Sequence, residues 1–553
     1  MKGALLVAGT HSDAGKSVLV AGICRWLARE GVKVAPFKAQ NMALNSFVTR
    51  EGAEIGRAQA AQSLAARVEP EAAMNPVLLK PSAEKRTQVI LRGKPFATAS
   101  ARSYQGMKGE LLPVVMESFD DLRRRFEVVV CEGAGSPAEI NLRKDDIANM
   151  GLARAAKLPV VVVGDIDRGG LFASLYGTLA LLDNEDQALV GGFIVNKFRG
   201  DKAVLAPGLE TLSELTGRPF LGTLPYVRGL WLDGEDSLAL DAPRDLSPPR
   251  GRNVLRVAVV CVPRISNFTD FDALSHEPGV AVSFTESSQE VLASDLAIVP
   301  GTKATVFDLA WLRTRGLDGA LAERARRGLP TLGICGGYQM LGRRIRDGVE
   351  SGEGEVLGLD LLPTETVFGE EKLLARPEGR ALGFWNVEVS GYEIRHGRVH
   401  RSGGEPLFAI NDSQNGDTEG CRVGAVLGTS WHGVLESDGF RRAFLRWVAE
   451  ERGLDWMAGD MTFASRREAQ LDTLGDLVAE NVDREALLRL IEDGPPSISR
   501  QVSGITCQQT AGTADDTPRA KAPASANGKG DPNFSPARFA VPGDDEQKLR
   551  ADD

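Results

Sequence analysis

The sequence predicts an α/β protein of two parallel-sheet units in series, followed by helices and a disordered tail. Three observations predict it. Between residues 4 and 240, short β-branched and apolar runs alternate with longer helical patterns. Near-continuous apolar strands separated by helices imply a parallel sheet covered on both faces. Residues 245–253, DLSPPRGRN, interrupt that alternation with proline and arginine and read as a linker. A second strand–helix series then begins at residue 256. The expected units are residues 1–244 and 254–450, with C-terminal helices at 451–494 and a tail at 495–553.

The elements follow in order. The first series reads ALLVAG, KVAPFK, EVVVCEG, PVVVVGD and GGFIVNKF. The second reads RVAVVCV, LAIVPG, PTLGIC and VGAVLGTSWHG. After Phe440 the pattern turns helical to about Glu492. From Pro495 onward Ser, Thr, Ala, Pro, Gly and Asp dominate, with too few clustered apolar residues to offset ordering entropy.

Composition bounds the function. The chain has 553 residues, 42% hydrophobic and 25% charged, with a net charge of −10. That is an ordinary globular balance, and its acidity argues against nucleic acid as a partner. The apolar runs fall short of a membrane span. The six cysteines are scattered without CxxC spacing, which fits neither a disulfide framework nor a zinc site. A cytoplasmic location is the default, and a homo-oligomer is compatible with all of this.

The first chemical motif is AGTHSDAGKS, residues 8–17, between a strand and a helix. Backbone N–H groups at a helix N-terminus cradle phosphates. Lys16 would reach the β- and γ-phosphate oxygens of ATP, and the Ser17 hydroxyl would ligate Mg²⁺. Gly9 stands one place early for the usual phosphate-loop spacing, with Thr10 in the motif position and Gly15 before the lysine. Glu132 ends a strand at the edge where α/β sheets bind ligands. It is the expected acidic metal ligand, because Mg²⁺ takes few carboxylates beside phosphate oxygens. Glu54 is a second candidate ligand, with a solvated helix acid as the plain alternative and Asp165 as its rival. Asn196, in VNKF, is placed to meet the adenine edge.

The second motif is GICGG, residues 333–337. It fits a glycine–nucleophile–glycine elbow, where a sharp strand-to-helix turn exposes the nucleophile. The helix N-terminus favours the thiolate of Cys335. A cysteine nucleophile still wants a base. Of the five histidines, His432 follows a strand in GTSWHG and is the expected base; His276, His396 and His400 carry no role. The oxyanion donors would be the N–H groups of Gly336 and Thr302, the latter in the PGTK loop.

The offset loop G-T-x-S-x-x-G-K-S resembles dethiobiotin synthetase and its relatives. GICGGYQ, the upstream PG and the downstream WHG resemble a class I glutamine amidotransferase domain. That resemblance implies that Cys335 attacks the side-chain amide of glutamine and that Gln339 binds the substrate. Most class I domains carry a glutamate two residues after the histidine, where this chain has Val434. The departure is similar to the cobyrinate and cobyrate subgroup, which leaves His432 to be held by other contacts.

With PFKAQNMALNS (36–46), MNPVLLKP (74–81), DIDRGG and GYEI, the combined pattern resembles the cobyric acid synthase family over residues 1–490. The resemblance implies ATP- and glutamine-dependent amidation of the b, d, e and g carboxylates of adenosylcobyrinic acid a,c-diamide, a step of cobalamin biosynthesis. It implies a corrinoid substrate that brings its own cobalt. Lys38 is then placed to meet the substrate carboxylate, and Gln40, Asn41 and Asn45 to meet its amides. Two rivals are weighed. A cobyrinic acid a,c-diamide synthase shares both units, but FKAQNM favours the cobyrate enzyme. A MinD-like ATPase scaffold with an inert second unit would carry a lysine early in its phosphate loop, and none stands between Lys2 and Lys16.

Overall fold

A computed structural model of the chain describes residues 1–83, 86–233, 247–383, 385–411, 416–497 and 501–502. The expected boundary at 244, the start of the expected linker and nearly all of the expected tail lie outside the described residues.

The first sheet has six parallel strands: β1 (Gly3–Gly9), β2 (Val34–Phe37), β3 (Val128–Glu132), β4 (Val160–Asp165), β5 (Val190–Phe198) and β6 (Phe220–Pro225). Their order is β6-β5-β4-β1-β3-β2. All residues of β1, β2, β3 and β4 are buried, which is why they read as unbroken apolar runs. Strand β6, FLGTLP, is half-buried and glycine- and proline-bearing, and the apolar-run criterion misses it.

The second sheet is β7 (Leu255–Val260), β8 (Val280–Thr285), β9 (Leu296–Val299), β10 (Thr331–Ile334), β11 (Cys421–Val423) and β12 (Val426–Thr429), in the order β8-β7-β9-β10-β12-β11. All neighbours are parallel except β11, an antiparallel edge on β12. Between β10 and β11 the chain builds a four-stranded sheet that includes the long pair Thr364–Ala375 and Glu393–Arg401. Both units are α/β with parallel central sheets, as the sequence predicts.

Helix α1 (Lys16–Arg29) follows the phosphate loop. Its apolar side buries Leu19, Val20, Ile23 and Leu27 together with Leu471, Leu474 and Val478 of α4 (Phe463–Asn481). The terminal helix α5 (Arg484–Asp493) adds Leu487 and Ile491 to the same core. The C-terminal helices therefore return to the first sheet, and Arg25 clamps α4 through Glu468 and Asp472. Among the described residues, no helix is long and apolar enough to cross a membrane.

Candidate functional site

The phosphate loop runs from the end of β1 into α1. Gly15 sits in the left-handed region at φ 105°, and a Cβ there would lie 1.9 Å from Nδ2 of Asn196. Glycine is the residue that fits. Asn196 donates to the Ala14 carbonyl at 3.0 Å, so it braces the loop from β5. Lys16 Nζ donates to the carbonyls of His11 (2.9 Å) and Gly135 (3.1 Å), which folds it back over the loop. Thr10 is anchored by its N–H on the Val163 carbonyl, and its buried hydroxyl has no hydrogen-bond partner among the described residues. An unsatisfied buried hydroxyl in a cradle of loop amides suits a ligand rich in acceptor oxygens.

Ser17 Oγ donates to Glu132 Oε1 at 2.9 Å, and Lys38 Nζ donates to the same oxygen at 2.8 Å. Gln62, on α2 (Arg57–Ala65), donates to Glu132 Oε2. Burial works against the charge on Glu132, yet Lys38, Gln62 and Lys16 hold its carboxyl below the usual range. A hydroxyl and an ionised carboxylate beside a phosphate cradle are the hard oxygen donors that Mg²⁺ takes. Gln40 accepts from Tyr104 Oη at 2.7 Å, and Asn41 donates to Gln59 at 2.8 Å.

Glu54 does not join this set. It is fully buried between Lys80 and Lys372, one lysine on each oxygen. Despite burial, the two ammonium groups hold Glu54 well below the usual carboxylate range. Its expected metal role is corrected to a buried ion cluster joining the two units. Asn45 also has a different neighbour from the expected substrate: it is fully buried, and its Oδ1 accepts the backbone N–H of Phe268.

Cys335 lies between β10 and α3 (Gly336–Leu341) at φ 48°, ψ −106°. For a side chain with a Cβ this is a strained conformation, of the kind held at functional turns. A Cβ on Gly336 would lie 3.0 Å from the N of Thr302, and one on Gly337 would lie 1.9 Å from the Val299 carbonyl. The glycines thus let the elbow close onto the PGTK loop. The Thr302 hydroxyl donates to Asp308, which also accepts from Arg264 N at 3.2 Å. Burial pushes Asp308 up to about 6. Gln339 accepts from Thr305 Oγ1 at 3.1 Å. Cys335, Thr302 and Gln339 line one cavity with Lys80, Lys372 and Arg395.

Cys335 lies near enough to His432 for its thiolate to act on the charge of the imidazole. Its Nδ1 lies 2.7 Å from Asp270 Oδ2, and both side chains are 1% exposed. Burial opposes the imidazolium, but Asp270 and Cys335 outweigh it and raise His432 to about 10. Tyr392 stacks on the ring at 5.4 Å, and its backbone exchanges two hydrogen bonds with that of His432. Sequence reasoning missed Asp270. It sits in a one-turn helix, Phe268–Phe271, 162 residues before the histidine. The acidic NFTDFD turn was the available signal, and nothing in its spacing ties it to WHG.

Two family models match the chain: the CobQ/CobB/MinD/ParA nucleotide binding domain over residues 5–237, and the CobB/CobQ-like glutamine amidotransferase domain over 256–440. The chain is 58% identical over 504 residues to a cobyric acid synthase of Streptomyces avermitilis, covering 90% of this chain and 98% of that one. Cobyric acid synthases of Frankia casuarinae and Streptomyces coelicolor are also 58% identical, over 518 and 503 residues, each match covering 90% of this chain and 98% of the relative. The chain belongs to the cobyric acid synthase family. A cobyric acid synthase is a glutamine-dependent amide ligase of cobalamin biosynthesis, and the two matched domains are those such a ligase requires.

Proposed function

We propose that this chain amidates the b, d, e and g carboxylates of adenosylcobyrinic acid a,c-diamide, using ATP and ammonia released from glutamine. In this reading residues 1–244 with the C-terminal helices form the synthetase unit, and residues 254–450 form the amidotransferase. The observation that carries it is a strained Cys335 elbow near a His432 backed by Asp270, on one chain with a phosphate loop whose Ser17 meets Glu132.

A carboxylate is a poor acyl donor, so the γ-phosphoryl of ATP is transferred to it to give an acyl phosphate. Lys16 and the loop amides neutralise the charge that develops on the phosphoryl oxygens. Ser17 and Glu132 would hold Mg²⁺, which supplies further charge neutralisation. Lys38, Gln40 and Asn41 bind the corrinoid carboxylate and amides.

In the second unit the Cys335 thiolate attacks the glutamine amide carbon. The N–H groups of Gly336 and Thr302 hold the oxyanion. His432 passes its proton to the departing nitrogen, so ammonia leaves and a thioester remains. Water then releases glutamate and restores the thiol. Ammonia attacks the acyl phosphate, forms the amide and expels phosphate. Asp270 keeps the His432 ring in the working tautomer.

The test is an end-point mass spectrum of the corrinoid after incubation with ATP, Mg²⁺ and either glutamine or ammonium chloride. The wild type should add four amides from either source, and Cys335→Ala only from ammonium. Reaction with cobyrinic acid instead would shift the reading to a diamide synthase. No reaction with either corrinoid and no glutamate release would overturn it.

A further inference from the structure

The acid that backs His432 is held in place by the other unit. Phe268–Phe271 carries Asp270 at its third position. The N–H of Phe268 donates to Asn45 Oδ1 at 3.2 Å, and the N–H of Ser46 donates to Asn267 Oδ1 at 2.8 Å. Asn45, Ser46, Asn267 and Asp270 are all nearly or fully buried. The strand that starts at Ser46 (Ser46–Val48) also reaches the other support of the imidazole. Phe47 lies 6.1 Å from the Tyr392 ring, and Val48 packs in a small cluster with Tyr392 and Ile394.

From Asn45 the contacts continue to the phosphate site. The Asn45 carbonyl accepts the N–H of Arg57, the first residue of α2. Gln62, on the same short helix, donates to Glu132. Glu132 in turn accepts from Ser17 and Lys38. These contacts join α2 and Glu132, through one buried residue, to the turn that holds Asp270.

We infer that Asn45 is a positioning residue for the glutaminase, seating the Asp270 turn against His432 so that occupancy of the synthetase site sets the reactivity of Cys335. This rests on the function proposed above. It gives the chain a way to release ammonia when an acyl phosphate awaits it.

The test follows alkylation of Cys335 by iodoacetamide in the full-length protein, read by peptide mass spectrometry, with and without ATP, Mg²⁺ and the corrinoid. In the wild type the ligands should change the rate about fivefold or more, the lower end of usual site-to-site coupling. In Asn45→Ala that response should vanish, and kcat for glutamate release should fall with little change in KM for glutamine. Asn45→Asp keeps an acceptor for Phe268 N–H and should recover the response. A ligand response in Asn45→Ala equal to the wild type's, or none in the wild type, overturns the inference. If Asn45→Ala does not fold, hydrogen exchange at Phe268 in the wild type decides: unchanged protection on ligand binding overturns it. Glutamine-dependent amidation by Cys335→Ala would instead sink the underlying function.

Discussion

The Oδ2 of Asp270 lies 2.7 Å from His432 Nδ1 while its Oδ1 accepts the Gly433 N–H at 2.8 Å. One carboxylate thus fixes both the ring and the backbone that carries it. Val434, where related domains place a glutamate, is buried and apolar; the acid arrives from another segment, on the opposite side of the second sheet's sequence.

Asp270→Asn should keep the shape of this contact and lose its charge. Glutamine-dependent turnover is then expected to fall about 10²- to 10⁴-fold, as a mis-set tautomer does in other triads. Ammonium-dependent amidation should persist. Parallel assays of glutamate release and corrinoid mass measure both.

Glu132→Gln should strike the other unit. The carboxylate gathers Ser17, Lys38 and Gln62, and its charge is what a metal–phosphate complex needs. Amidation from glutamine and from ammonium should both drop, by about 10²-fold or more. Loss from glutamine alone would contradict the assignment.

Gly301→Ala should misplace the base. A Cβ there would lie 2.5 Å from Cε1 of His432, so the imidazole must move. Displacement of this kind costs about 10²-fold in rate, and overpacking costs about 1–3 kcal/mol of stability. Glutaminase kinetics and a urea melt separate the two effects.

Glu436 makes a prediction in acid. Burial opposes its charge, but Arg467 and Arg57 outweigh it and lower its carboxyl to about 2. The folded value lies below the unfolded one, so the stability it contributes is complete above about pH 4.5 and is lost as pH falls through about 2. Urea midpoints at pH 3 and pH 6 should differ more for the wild type than for Glu436→Gln.

Much of this was readable in the sequence. Buried parallel strands announce themselves as apolar runs, and a nucleophile elbow or phosphate loop needs glycine at fixed offsets, so local spacing carries the signal. Asp270 and Glu54 show where that stops. Asp270 owes its role to a partner 162 residues away. Glu54 is paired with Lys372, 318 residues away. An acid beside a lysine-rich interface and an acid beside a metal look alike in one dimension. Strand β6 was missed for a simpler reason, since only Leu221 and Leu224 of its residues are buried and the run is broken by Gly222 and Thr223.

The return of α4 and α5 to the first sheet has a consequence for biosynthesis of the chain. Leu19, Val20, Ile23 and Leu27 emerge early from the ribosome, but Leu471, Leu474 and Val478, which cover them, are translated only after the whole second sheet. The first unit cannot close its core while the second is being made, and its exposed apolar helix must wait through most of translation. A gene cut between the two sheets would yield an amino-terminal fragment lacking its own lid, so separating the activities onto two polypeptides requires moving the coding sequence for residues 463–493 as well.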